Sequence, residues 1–252
     1  MTASSAGRDK TGGGPAEPAW VPASGDRRRH PAPAHLRFFH GPMDCGKSTL
    51  ALQMDHNQSR QGREGMLLTQ GDRSAAPMIS SRIGMQRPAR EFSAGTDVRL
   101  LVRERWAAGH RVDYLIVDEA QFLTDAQVDQ LAELVDESHV DVYAFGLTTD
   151  FRARLFPGTR RLLELADDVE RIQVEVLCWC GLPGLLNARV VDGAMVREGA
   201  TVVVADTAPP PPPGSAGSGG EPAVRYQVLC RGHYVRGQLG PLATAPGQLA
   251  LP

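Results

Sequence analysis

Gly41-Pro42-Met43-Asp44-Cys45-Gly46-Lys47-Ser48 fills every fixed position of the pattern Gly-x4-Gly-Lys-Ser/Thr. Such spacing serves to cradle a polyphosphate. Gly41 and Gly46 permit backbone turns that a side chain would block. Successive amide N–H groups can then face one anion at the start of a helix, whose dipole adds to the attraction. Lys47 supplies a cation for the β- and γ-phosphates, and Ser48 a hydroxyl ligand for Mg²⁺. The octet therefore implies a bound nucleoside triphosphate. Two acids, Asp118-Glu119, follow the apolar, β-rich run Val112-Asp113-Tyr114-Leu115-Ile116-Val117. A carboxylate at the end of such a strand holds Mg²⁺ directly or through water, and Asp118 is the expected group. Glu119 is either a base that accepts the nucleophile's proton or an acid that closes a strand at the surface.

A third group is Cys178, Cys180, Cys230 and His233. Cys-x2-His suits half of a tetrahedral zinc site, although Cys-x-Cys is one residue tighter than the usual pair. A structural Zn²⁺ here would staple a segment too poor in apolar residues to build its own core. The alternatives are buried free thiols or a Cys178–Cys180 disulfide. Cys45, inside the octet, is read as a small tolerated residue.

The octet needs a strand before it and a helix after it. His35-Leu36-Arg37-Phe38-Phe39-His40 has the aromatic content of a strand. From Ser48 the chain has no Pro or Gly until Gly62, and Leu50, Leu52 and Met54 can pack on a sheet. A second strand is expected at Met66–Thr69 and a helix at Val98–Trp106, stopped by Gly109. Thr124 and Gln127 fit an N-cap and its reciprocal partner, opening a helix to about Glu137. Its Val128, Leu131, Leu134 and Val135 share one face. Another strand follows at Val140–Gly146. This alternation predicts an α/β fold of the P-loop type, a mostly parallel sheet flanked by helices, with ligands at the carboxyl ends of the strands.

The expected organisation is a disordered tail over 1–34, a nucleotide-binding domain over 35–170, a small zinc-stapled domain over 171–236 and a flexible tail over 237–252. A Pro/Gly-rich insertion at 207–222 interrupts the small domain. The chain has 252 residues and a formal net charge of −2, which makes no electrostatic case for nucleic acid or a membrane as partner. Arg27-Arg28-Arg29 lies in a Pro/Ala/Gly context and is read as a solvated tail. No stretch has the length of a membrane span, and the first thirty residues lack the apolar core of a secretory signal. The cytoplasm is the expected location, where four cysteines suggest metal before disulfides.

Taken in order, these pieces resemble the thymidine kinase family whose members carry a zinc-bound lasso domain. The likeness rests on Gly41-Pro42-Met43 leading into Gly46-Lys47-Ser48-Thr49, then Ser81-Arg82-Ile83-Gly84, then Asp118-Glu119-Ala120-Gln121-Phe122. Gly146-Leu147, Asp150-Phe151-Arg152 and Phe156 continue it, followed by the cysteine pair with Asn187-Ala188-Arg189, and Tyr226 before Cys230 and His233. It spans about Leu36 to Tyr234. The resemblance implies transfer of the ATP γ-phosphate to the 5′-hydroxyl of thymidine, with Glu119 as general base. It places ATP and Mg²⁺ on Gly41, Pro42, Met43, Asp44, Cys45, Gly46, Lys47, Ser48, Thr49, Asp118 and Gln121. Arg189 or Arg82 would add positive charge. Met43, Leu147, Phe151 and Phe156 would line the thymine pocket above Phe122, with Tyr226, Val203 and Val204 contributed by the lasso. Family members often form tetramers, so a homo-oligomer is implied.

The departures are the Cys-x-Cys spacing, Gly71-Asp72-Arg73 without a following tyrosine, the Pro209–Gly220 insertion and the pair Asp44-Cys45 in the phosphate loop. A different reading is a P-loop ATPase whose zinc module binds a protein or nucleic-acid partner.

Overall fold

The strand that enters the phosphate loop, β1 (Leu36–Gly41), is flanked by a parallel neighbour on each side. The computed structural model that shows this describes Met1 and residues 33–70, 77–172, 175–199 and 224–241. Those from 33 onward belong to one compact unit, Ala32–Pro252. After β1 come α1 (Lys47–Arg60), β2 (Gly65–Thr69), the hairpin β3 (Met78–Ser80) and β4 (Gln86–Pro88), and a short β5 (Arg90–Glu91). Then follow α2 (Val98–Ala107), β6 (Tyr114–Val117), a one-turn 3-10 helix (Ala120–Phe122), α3 (Asp125–Ser138), β7 (Asp141–Leu147), α4 (Pro157–Leu165) and β8 (Asp168–Arg171).

Among the described residues, six strands form one sheet in the order β5-β2-β6-β7-β1-β8. Every pairing in it is parallel. Strands covered on both faces read as continuous apolar runs, and β6, YLIV, is buried at all its positions. Its alternate side chains feed two cores. Leu115 and Val117 join Phe38, Leu68, Val102, Val128, Leu131 and Leu162 on the face covered by α2, α3 and α4. Tyr114 and Ile116 join Phe39, Leu67, Phe145, Ala51 and Leu52 on the face covered by α1. Leu50 and Met54 pack at the margin of that second core. The expected parallel sheet with flanking helices is borne out.

Helix α3 starts as expected. Gln127 N donates to Thr124 Oγ1 at 3.2 Å and Thr124 N donates to Gln127 Oε1 at 3.0 Å. The Gln127 amide also donates to Ser93 O and Thr96 O, tying the preceding loop to the helix start. Strand limits differ from expectation by one or two residues: β6 starts at Tyr114 rather than Val112, and β7 runs Asp141–Leu147 rather than Val140–Gly146.

A second, antiparallel sheet follows, with β9 (Leu186–Val191) between β10 (Ala194–Val196) and β11 (Val224–Leu229), then α5 (Arg231–Arg236). Cys178, Ala188, Leu229, Cys230 and Tyr234 form its small core. Residues 2–32 of the tail expected over 1–34, Gly71-Asp72-Arg73, Val203, Val204, the 207–222 insertion and residues 242–252 of the tail expected over 237–252 lie outside the described residues. Among the described residues no helix is long and apolar enough to cross a membrane.

Candidate active site

The phosphate loop leaves β1 at Gly41, where a Cβ would stand 2.5 Å from Cys45 Sγ. Cys45 is fully buried, so its thiol fills the space that the glycine leaves open. Gly46 caps α1 with φ 82°, and Asp44 also has a positive φ of 66°. Lys47 Nζ stays inside the loop, donating to Pro42 O at 2.7 Å and lying 3.7 Å from Cys45 Sγ. The Asp44 carboxylate meets Arg82 at 2.5 Å. That pair is exposed and contributes no more than about 1 kcal/mol to stability, but it neutralises the one acid in a loop built for an anion. Ser48 and Thr49 lie in the first turn of α1.

Asp118 and Glu119 leave the carboxyl end of β6, on the edge where β1 delivers the loop. Ser48 Oγ donates to Asp118 Oδ2 at 2.7 Å. A hydroxyl and a carboxylate held side by side are the donor set for one hard cation such as Mg²⁺. Glu119 adopts a left-handed backbone with φ 56° at the start of the 3-10 turn, and its N–H donates to Asp118 Oδ1 at 3.0 Å. Gln121 bridges the next contact. Its Nε2 donates to Glu119 Oε2, while its Oε1 accepts from Leu147 N at 2.9 Å.

Burial raises the Glu119 carboxyl above the ordinary range, and the neighbouring Asp118 charge raises it further; the Gln121 bond and Lys47 oppose both. Protein packs densely around Glu119 although it keeps an opening to solvent. Asp118 is also raised by burial, against the Ser48 hydroxyl, the Glu119 amide and Lys47. A carboxylate poised closer to neutrality is a better proton acceptor.

Gly146 makes room for this bridge. A Cβ there would lie 3.0 Å from Gln121 N and 3.1 Å from Gln121 Oε1. Gly146→Ala is expected to push the 3-10 turn outward, to lower kcat about tenfold or more and to lower Tm by a few degrees. Steady-state kinetics beside a thermal melt checks this.

The expected pocket residues gather around β7 and α4. Leu147, Phe151 and Phe156 are buried. Phe122 meets Phe156 edge-on, with ring centroids 5.6 Å apart. Thr159 Oγ1 donates to Leu147 O at 2.6 Å, and Tyr234 OH donates to Phe151 O at 2.5 Å. The Arg189 guanidinium lies 3.7 Å from the Phe151 ring centre, and its Nε donates to the Tyr226 hydroxyl at 3.1 Å. Arg189 thus joins the aromatic pocket residues, whereas Arg82 reaches the phosphate loop through Asp44. Two residues lacked a role in the sequence reading. Thr159 carries no pattern that sets it apart. Asn187 does: it is a polar amide in the apolar strand β9, and its Oδ1 accepts from Met43 N at 2.9 Å.

The ligand atoms of Cys178, Cys180, Cys230 and His233 all lie within 4.8 Å of one another. Cys180 Sγ and Cys230 Sγ are 3.9 Å apart, and His233 Nδ1 lies 3.3 Å from Cys178 Sγ and 3.6 Å from Cys230 Sγ. Tetrahedral zinc, with Zn–S near 2.3 Å and Zn–N near 2.0 Å, needs edges of about 3.8 and about 3.5 Å. The four residues fit the ion. All four cysteines of the chain are free thiols, which removes the Cys178–Cys180 disulfide as an alternative. The short spacing works because Gly181, at φ 82°, closes a tight turn in which its N–H donates to Cys178 O at 2.8 Å. Trp179, between the two cysteines, stacks on His233 with ring centroids 4.1 Å apart.

A phosphate loop after β1, a hydroxyl–carboxylate pair beside it and acids after β6 define a P-loop nucleotide-binding protein with a Cys3His module. The family model for thymidine kinase matches residues 34–206. A thymidine kinase of Streptomyces coelicolor is 53% identical over 201 residues, covering 80% of this chain and 88% of its own. One from Cutibacterium acnes is 48% identical over 212 residues, covering 84% of this chain and 93% of its own. One from Legionella pneumophila strain Paris is 35% identical, covering 82% and 92%. The Pif1 helicase of Candida albicans superposes with a TM-score of 0.33 at 14% identity, covering 55% of this chain and 36% of its own, too little to bear on fold or function. The chain belongs to the thymidine kinase family, as the resemblance implied.

Proposed function

We propose that this protein transfers the γ-phosphate of ATP to the 5′-hydroxyl of thymidine. The observation that carries the reading is the Ser48–Asp118 pair standing beside the Gln121-held Glu119 on one sheet edge, in a member of the thymidine kinase family. The 5′-oxygen attacks the γ-phosphorus, the bond to the β,γ-bridging oxygen breaks, and ADP leaves. Glu119 takes the hydroxyl proton. Little covalent help is needed in such a transfer, so the other groups position and neutralise. The loop amides and Lys47 hold the β- and γ-phosphates, and Arg82 offsets Asp44. Ser48 and Asp118 would hold Mg²⁺, which supplies charge neutralisation at the phosphates. Gln121 orients the base.

Phe122, Leu147, Phe151, Phe156 and Tyr226, with Val203 and Val204, are assigned to thymine. Cys178, Cys180, Cys230 and His233 would hold a structural Zn²⁺. Residues 35–170 form the kinase domain and 171–236 the lasso domain. A cytoplasmic homo-oligomer is the expected form.

ADP release measured with and without thymidine tests the reading. ADP and thymidine monophosphate are expected in equal amounts, with little ADP when thymidine is omitted. ADP formation at the same rate without thymidine would make the protein an ATPase. The sequence reading held that alternative open, and the family match counts against it.

A further inference from the structure

Met43 lies in the phosphate loop, yet its amide bonds outside that loop. The acceptor, Asn187 Oδ1, stands at 2.9 Å and belongs to a residue 144 positions away. Asn187 sits in β9, opposite Val228 of β11, and is 2% exposed. A buried amide in an apolar strand persists where its polar atoms have partners. Side chains alternate along a strand, so Arg189, two positions on, shares the face of Asn187. Arg189 stacks on Phe151 and donates to Tyr226. One face of β9 therefore reaches the phosphate loop through Asn187 and the pocket aromatics through Arg189.

We propose that Asn187 is a positioning residue for the phosphate loop, and that through it β9 couples the ATP site to the thymidine pocket. The proposal rests on the reading of Gly41–Ser48 as the ATP loop and of Phe151 and Tyr226 as pocket residues. A loop that binds phosphate through its amides acts well only when held in one arrangement. Fixing Met43 from an outside strand restrains the turn at Asp44, whose φ of 66° is one that a non-glycine residue adopts under restraint. Any shift of β9 when thymidine fills the pocket reaches Met43 through the Asn187 side chain alone. Linkage makes the effect reciprocal, so ATP binding alters thymidine affinity by the same factor.

Calorimetry on the full, zinc-loaded chain tests this, with the non-hydrolysable analogue AMP-PNP and thymidine each titrated alone and in the presence of the other. In the wild type, each ligand is expected to change the other's Kd by a common factor. In Asn187→Ala, the AMP-PNP Kd rises about tenfold, the thymidine Kd stays within about twofold, and the coupling factor falls to one. Zinc content stays at the wild-type value, and Tm falls by a few degrees, as one lost buried hydrogen bond requires. An unchanged AMP-PNP Kd would overturn the proposal. So would parallel weakening of both ligands with loss of zinc, which a merely structural role produces. Should Asn187→Ala not fold, hydrogen exchange on the ligand-free wild type decides: the Met43 amide is expected to be protected, and exchange at the rate of an open chain overturns the proposal. Lys47→Ala separates the two readings. If it leaves AMP-PNP binding intact, the loop assignment fails; if it abolishes binding while Asn187→Ala changes nothing, the loop assignment stands and the role proposed for Asn187 fails.

Discussion

Glu119→Gln is expected to lower kcat by about 10²- to 10⁴-fold, the span that a positioned general base contributes, while ATP and thymidine bind within a few-fold of wild type. The amide keeps an oxygen for the Gln121 Nε2 donor and loses only the capacity to take a proton. The same substitution is expected to stabilise the fold. Burial and the Asp118 charge raise the Glu119 carboxyl, so the folded state holds that proton more tightly than the unfolded chain does. The ionised form therefore costs stability above the raised value, and the cost vanishes below the ordinary glutamate value of about 4.3. Glu119→Gln should raise Tm by about 2–4 °C at pH 8, and the gain should shrink to nothing as the pH falls through that window. The wild-type kcat/KM profile should show an acid limb above the ordinary glutamate range. A variant that keeps a tenth or more of wild-type kcat would exclude Glu119 as the base.

Removing two of the proposed zinc ligands is the second large effect. Cys230→Ser/His233→Ala should bind no zinc and lose roughly a thousandfold in kcat/KM for thymidine, equivalent to about 4 kcal/mol. The reason lies in what α5 anchors. Cys230 caps that helix and His233 lies within it. The next residue, Tyr234, donates its hydroxyl to Phe151 O. Without the ion, this short helix loses the cross-link that ties its first turn to Cys178 and Cys180, which loosens both Tyr234 and the β11 strand that carries Tyr226. The double variant's zinc content, measured by mass spectrometry, decides the site: content equal to wild type would remove these residues as ligands.

The parts of this molecule legible in the sequence are those that local physics specifies. The phosphate loop needs Gly, Lys and Ser at fixed offsets. The start of α3 needs a Thr and a Gln three apart, and both bonds of that box are present. Strand β6 is apolar throughout because helices cover both its faces. Strand β8 was missed because DVER, at the sheet's edge, is exposed at every position and carries no alternation. The hairpin β3–β4 is too short for a period to show. In the site, residue types were readable and conformations were not. Nothing about Glu119 as a letter announces its left-handed backbone, and Gln121, read as an ATP or Mg²⁺ contact, spends its amide on Glu119 and Leu147. Asp44 and Cys45 made sense only in three dimensions, one through Arg82 and the other through Gly41. Asn187 depends on a contact between distant segments, which a periodicity argument does not reach.

The position of β1 in the sheet has a consequence for the order of assembly during synthesis. The phosphate loop is translated early, yet β1 finds its two neighbours only in β7 and β8. Until residues 141–171 have emerged, the first strand has no edge to join, and the loop it carries has no shape to offer a nucleotide. Parallel pairings at such separation in the chain are slow to form. Nucleotide binding in a nascent chain should therefore switch on late, and ATP, by stabilising a loop held in place by its last-made neighbours, would favour the completed sheet over partly folded forms.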